Sequence, residues 1–270
     1  MKTRICVLGL LLLCVSAVQA VKVDTLLVKS EAMNENVKVV MVVPEQAKKQ
    51  ACPVIYLLNG FSDNGQSWVK RTKPELPKIA DKEGIIFVCP YGNDSWYFDS
   101  PVNPKMRYET FVSKELVAYV DAHYKTRAEK GGRAIMGLSM GGHGAMWLSF
   151  RHTDIFGAAG SMSGGLDILP FPNSWRIKEV LGEKSTNEEN WATHTAISQI
   201  DKIKNGDLAI IFDCGYQDFF FEVNNNFHNK LMERKIDHDF VVRPGGHSHQ
   251  YWSNSMDYQL LFFKKFFNKK

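Results

Sequence analysis

The chain has 270 residues, 44% of them apolar, with 33 basic and 29 acidic side chains for a formal charge of +4. That length buries one large core without calling for a second domain. Charge so nearly balanced, with no basic cluster interleaved with aromatics, gives no reason to expect a nucleic acid as partner.

Reading from the amino terminus, Lys2 and Arg4 precede an apolar run over residues 5–15, and Val18-Gln19-Ala20 ends it with small residues at the positions a signal peptidase reads. Residues 1–20 are therefore expected to be an export signal, and the mature chain, 21–270, to be a secreted or periplasmic single domain. The run is too short to span a bilayer, and Leu13 precedes Cys14 where a lipoprotein signal wants a small residue. No membrane insertion is expected after cleavage. Lys2 and Arg4 leave with the signal, so 31 basic residues then face 29 acidic ones. Cys52, Cys89 and Cys214 remain, each beside an apolar strand-like run. Their spacing matches no zinc pattern, and the odd count leaves a free thiol, so buried structural thiols are expected.

Residues 37–43, 53–58 and 85–89 are rich in β-branched and aromatic side chains and read as strands. Helical periodicity follows over 114–124, then a short buried strand over 133–137 and a helix over 142–151. Further strands are expected at 156–161, 208–213 and 240–243, with helices at 220–235 and 251–267. The terminal "KKFFNKK" reads as the solvated end of the last helix. Alternation of this kind predicts an α/β fold, a mostly parallel central sheet with helices on both faces. Residues 164–206 are polar, contain Pro170, Pro172, Trp175 and Trp191, and lack a clean period, so they are expected to form a lid or loop insertion.

The stretch "IMGLSMGGHGAM" sits where the strand 133–137 gives way to the helix 142–151. A serine at the tip of so sharp a turn needs strained backbone angles, and its neighbours two before and two after must lack side chains. Gly137, Ser139 and Gly141 meet that requirement, which makes Ser139 the candidate nucleophile. A hydroxyl needs a base, and the base needs an acid to orient it, in the chain order serine, acid, histidine. His228, His238, His247 and His249 lie late enough. His228 falls inside a helix and His238 before a strand, whereas His247 follows a strand through a Pro-Gly-Gly loop, where catalytic loops gather; His249 shares that loop. For the acid, Asp213 ends its strand and Asp218 comes one short loop later, with the reach to meet the histidine loop. Asp218 and His247 are preferred. The oxyanion donors are expected to be the backbone N–H of Met140 and that of Phe61, the latter allowed by the turn at Gly60.

"YLLNGFSDNGQSW", "SWYFDSP" with "YETF", "GLSMGGHGA", "SMSGGLD", "DCGYQDFFFEVNNNF" and "PGGHSHQYW" together resemble the putative esterase family of α/β hydrolases over nearly the whole mature chain. That family includes tributyrin esterases, S-formylglutathione hydrolases, feruloyl and acetyl xylan esterases and mycolyltransferases. The resemblance implies the α/β-hydrolase fold, Ser139, Asp218 and His247 as catalytic residues, and Phe61 and Met140 as oxyanion donors. Two positions depart from the family pattern. Asn59 stands where relatives usually have histidine, at the floor of the oxyanion loop, and His249 where many have tryptophan, beside the acyl pocket. The chemistry so implied is a serine acyl-enzyme mechanism, which calls for no metal or organic cofactor. Asn59, Trp96, Asp99 and His249 are expected to meet a small-molecule or polysaccharide ester, with short-acyl or hydroxycinnamoyl groups carried on carbohydrate. An acyltransferase would use the same residues, and a degenerate hydrolase that only binds glycans is the contrasting reading.

Overall fold

The computed structural model describes residues 21–269, and the export signal expected at 1–20 lies outside the described residues. The described residues contain eight strands: β1 (Lys22–Ser30), β2 (Glu35–Val43), β3 (Val54–Leu58), β4 (Ile86–Pro90), β5 (Arg133–Leu138), β6 (Ala158–Met162), β7 (Ala209–Gly215) and β8 (Asp239–Arg243). They form one sheet in the order β1-β2-β4-β3-β5-β6-β7-β8, with antiparallel pairing at β1–β2 and β2–β4 and parallel pairing throughout the rest. This is the mostly parallel, helix-covered α/β architecture that the alternation predicts.

The central strands are continuous apolar runs because both of their faces are covered. In β3, Val54, Tyr56 and Leu58 enter one core layer while Ile55 and Leu57 enter the other, which is the period of two made visible. The first layer is filled from the helix Met140–Arg151 by Trp147 and Phe150 and from Phe221–Glu233 by Phe227 and Leu231. Helices Leu76–Glu83 and His249–Phe267 fill the second with Leu76, Met256 and Phe263. Cys52, Cys89 and Cys214 are buried and unpaired, and burial pushes each thiol up, so they act as small apolar side chains.

From β3 the chain crosses to β4 on one side and later returns to β5 on the other. The loops leaving β3 and β5 therefore diverge at their carboxyl ends and open a crevice there, the usual binding position of an open parallel sheet. Between β6 and β7, residues 164–206 contain no strand; their short helices Ile177–Leu181, Glu188–Thr193 and Ala196–Gln199 bury Ile177, Leu181 and Trp191.

One buried carboxylate ties this body together. Glu109 accepts from Trp147 Nε1 at 2.9 Å and Arg151 Nε at 2.8 Å, and lies 2.9 Å from His152 Nε2. Burial alone would raise its pKa, but the hydrogen bonds and charges of His152 and Arg151 prevail and hold it at about 2. A folded-state pKa below the unfolded value adds stability that is complete above the unfolded pKa. That stability, on the order of 3 kcal/mol, is lost as pH falls from about 5 through about 2. Glu109→Gln should accordingly lower the unfolding free energy at pH 7 and flatten its decline in acid. Denaturant titrations at pH 7 and pH 3 measure both, and equal acid slopes for the two proteins would show that Glu109 is not the linked group.

Candidate active site

Ser139 follows the last residue of β5 and precedes the first residue of the helix Met140–Arg151, at φ 55° and ψ −119°. That backbone conformation is costly for a residue with a Cβ and persists only where its surroundings enforce it. The enforcement comes from the flanking glycines. A Cβ on Gly137 would run into the carbonyl of Gly141, and one on Gly141 into the carbonyls of Leu58 and Asn59. The turn is thereby pressed against the end of β3 and presents the Ser139 hydroxyl at the crevice.

The partners arrive on the loops after β7 and β8, which are stitched together. Tyr216 N donates to Arg243 O and Gln217 N to Gly245 O, both at 3.1 Å. Gly245, at φ 132°, supplies the bend, and a side chain on Gly215 would collide with its carbonyl. This closeness carries Asp218 and His247 to one place. His247 Nε2 lies 2.9 Å from Ser139 Oγ and Nδ1 lies 2.9 Å from Asp218 Oδ2. With the proton on Nδ1, the ring donates to Asp218 and accepts from the Ser139 hydroxyl, as a general base must. Phe220 N donates to the other Asp218 oxygen at 2.9 Å, and that carboxylate is fully buried. Phe219 and Trp252 pack on the imidazole with ring centroids at 4.3 and 4.8 Å, which limits its rotation.

Asp213, the other acid considered, is engaged elsewhere. It accepts from Ser255 Oγ at 2.6 Å and Gln259 Nε2 at 2.7 Å, with Arg243 at 3.1 Å, and so fastens the last helix to β7. His228 and His238 bond to each other at 2.7 Å. His249 does reach the crevice, but its Nδ1 lies 2.9 Å from Thr72 Oγ1 rather than near Ser139.

Gly60 brings the loop after β3 against the serine, where an added Cβ would lie 3.4 Å from Ser139 Cβ. The next residue, Phe61, lines the same cleft of about 280 Å³ as Ser139 and His247. Among the described residues, the N–H of Phe61 has no acceptor, and that of Met140 is the first of its helix, where no intrahelical acceptor exists. Two backbone donors without acceptors thus lie close to the serine.

Three expected substrate contacts are corrected by the structure. Asn59 is buried and braces its own loop: Oδ1 accepts from Gly92 N at 3.0 Å, while Nδ2 donates to the carbonyls of Gly60 and Asp63. Trp96 is buried behind Trp175 and donates to its carbonyl at 3.2 Å. Asp99 accepts from Thr110 N and Oγ1 and borders a separate cavity with Glu109 and His194. The side chains that line the cleft include His249 and, from the 164–206 insertion, Trp175, together with Arg71, Phe219 and Trp252. Phe219 is adjacent to Asp218 and Trp252 lies within "HSHQYW", so both were within reach of the motif reading, whereas nothing in the sequence marks Arg71.

A family model described as "Putative esterase" matches residues 30–263. The S-formylglutathione hydrolase of Mus musculus is 25% identical over 77% of this chain and 80% of its own length. An acetyl esterase of Caldicellulosiruptor saccharolyticus is 22% identical over 74% of this chain and 78% of its own. A solved ferulic acid esterase superposes with a TM-score of 0.78 and 28% identity, covering 92% of this chain and 99% of that one.

Proposed function

Given that the chain belongs to the putative esterase family and is a carboxylic ester hydrolase, we propose that it is an exported serine esterase cleaving short-acyl or hydroxycinnamoyl esters carried on carbohydrate. The observation that carries the mechanism is the pair of 2.9 Å contacts linking Ser139, His247 and Asp218 at a strained turn. In this reading His247 takes the Ser139 proton as Oγ attacks the ester carbonyl, and Asp218 stabilises the imidazolium that forms. The N–H groups of Phe61 and Met140 hold the oxyanion. Collapse expels the alcohol, which takes the proton from His247 and leaves Ser139 acylated. Water, deprotonated by the same imidazole, then releases the acid.

The substrate class rests on the cleft wall and on two relatives. Trp175 and Phe219 stack at 5.6 Å and 20° beside His247, and Phe219 is 53% exposed, so aromatic surface is accessible next to the reacting atoms. Such a face suits a hydroxycinnamoyl ring or the apolar side of a sugar. The names of the acetyl esterase and ferulic acid esterase relatives point the same way, and an export signal at 1–20 would put the enzyme outside the cell, away from cytosolic thiol substrates.

Specificity constants on the purified mature chain test this. Acetylated and feruloylated oligosaccharides should be cleaved with kcat/KM at least about tenfold above S-formylglutathione and long-chain esters, a margin of about 1.4 kcal/mol in transition-state binding. Trp175→Ala should lower kcat/KM for the feruloyl ester more than for the acetyl ester. A clear preference for the thioester or for long acyl chains refutes the carbohydrate reading while leaving the serine mechanism standing.

A further inference from the structure

We propose that Arg71 anchors a carboxylate on the leaving-group side of the substrate, making the enzyme selective for esters of acidic alcohols, of which a uronate sugar is the fitting class; this rests on the esterase reading above. The cleft at Ser139 is asymmetric. Its lining combines the aromatic pair Trp175 and Phe219 with the charged and polar Arg71, His249 and Asp63. Beyond Arg71 and His249, which border both spaces, lies a wide, open hollow of about 540 Å³ walled by Gln250, Ser253, Asn254 and Asp257, the last paired with Lys73. An acyl group stacked on the aromatic wall leaves the alcohol to occupy this polar side, and the volume takes a sugar ring.

Arg71 sits on a π-helical turn, Trp68–Thr72, a rare local widening that recurs at functional positions. Among the described residues its guanidinium has no carboxylate partner, whereas Arg133, Arg151 and Arg243 each hold one. Two acids lie near it, each with a partner of its own. Asp257 pairs with Lys73 at 2.7 Å, and Asp63 accepts from Ser67 Oγ and Asn64 N through one oxygen while the other lies 3.7 Å from His249 Nε2. Burial and the positive charge of Arg71 hold the His249 pKa below the ordinary histidine value, against the opposing pull of Asp63. What remains is a planar cation, exposed to the cleft, with the fork geometry that binds a carboxylate through two parallel hydrogen bonds.

The test compares two substrates differing only in that carboxylate, an acetylated methyl glucuronoside and the matching acetylated methyl glucoside. The wild-type ratio of kcat/KM should favour the acidic ester about tenfold and shrink in 0.5 M salt, since a charge-assisted pair of this strength is partly screened. Arg71→Gln should bring the ratio near one, and Arg71→Lys should keep part of it. A thiol peptide also carries carboxylates, so S-formylglutathione forms a third arm. If it outruns the glucuronoside and loses the same factor in Arg71→Gln, the anchor stands and its source is the peptide. A wild-type ratio near one, or a ratio that Arg71→Gln leaves intact, overturns the anchor. If wild type hydrolyses neither sugar ester nor p-nitrophenyl acetate, the esterase reading itself has failed. Calorimetric titration of glucuronate into wild type and Arg71→Gln then decides the anchor alone, and equal binding rejects it.

Discussion

Ser139→Ala is expected to leave a folded protein whose hydrolysis of p-nitrophenyl acetate is lowered by roughly 10⁴-fold or more, the scale seen when a serine nucleophile is removed elsewhere. The fold should survive because the strained turn does not depend on the hydroxyl. It is held by the close contacts of Gly137 and Gly141 and by backbone bonds from Ser139 N to Met162 O at 2.9 Å and from His143 N to Ser139 O at 3.0 Å. Alanine keeps the same Cβ and loses only Oγ, the atom 2.9 Å from His247 Nε2. A fluorophosphonate probe should label Ser139 in the wild type and nothing in the variant. Melting temperatures within a few degrees, together with lost turnover and labelling, are the expected set. Activity retained within tenfold would require a nucleophile elsewhere.

The sheet was legible because its central strands are buried on both faces. Residues 53–58, 85–89 and 133–137 read as short apolar runs and became β3, β4 and β5, with boundaries shifted by a residue at most. β1 gave no comparable signal. It pairs on one side only, carries Lys22, Asp24 and Lys29 along the edge of the sheet, and buries just Val28 and Ser30, so little of its sequence is dictated by a core. The elbow at Ser139 was readable for a steric reason, since only glycine fits at positions 137 and 141. The cleft walls were not. Trp96, Asp99 and Asn59 have the side chains of a carbohydrate site, yet composition does not say which way a side chain points, and all three turn inward to fix loops. Trp96 and Tyr97 lie at φ 55° and 62°, a backbone twist that a period of two or 3.6 does not anticipate. Arg71 reaches the cleft only because residues 68–72 wind into a wide turn beneath the loop after β8, a tertiary relation with no trace in local pattern.

His247→Ala and Asp218→Asn should each lower kcat/KM by roughly 10³- to 10⁴-fold, while His249→Ala and Asp213→Asn should cost less than about tenfold. The separation follows from what each side chain touches. Alanine at 247 removes the only group the structure places within hydrogen-bonding distance of Ser139 Oγ among the described side chains. Asparagine at 218 keeps the shape, but if its amide nitrogen faces the imidazole it forces the proton from Nδ1 to Nε2, and the ring can then no longer accept from the serine. At 249 the loss is a contact to Thr72 and some lining of the cleft, which alters fit more than proton transfer. Asp213 never meets the reacting atoms. Its carboxylate is satisfied by Ser255, Gln259 and Arg243, so the amide strands part of that network and shows as a lower melting temperature, not a lower turnover per folded molecule. The folded fraction of each variant, measured by circular dichroism at the assay temperature, normalises each rate to folded enzyme and keeps the two effects apart. Were Asp213→Asn or His249→Ala to cost more turnover than its counterpart, the hydrogen-bonded chain through Asp218 and His247 would not be the path of the proton.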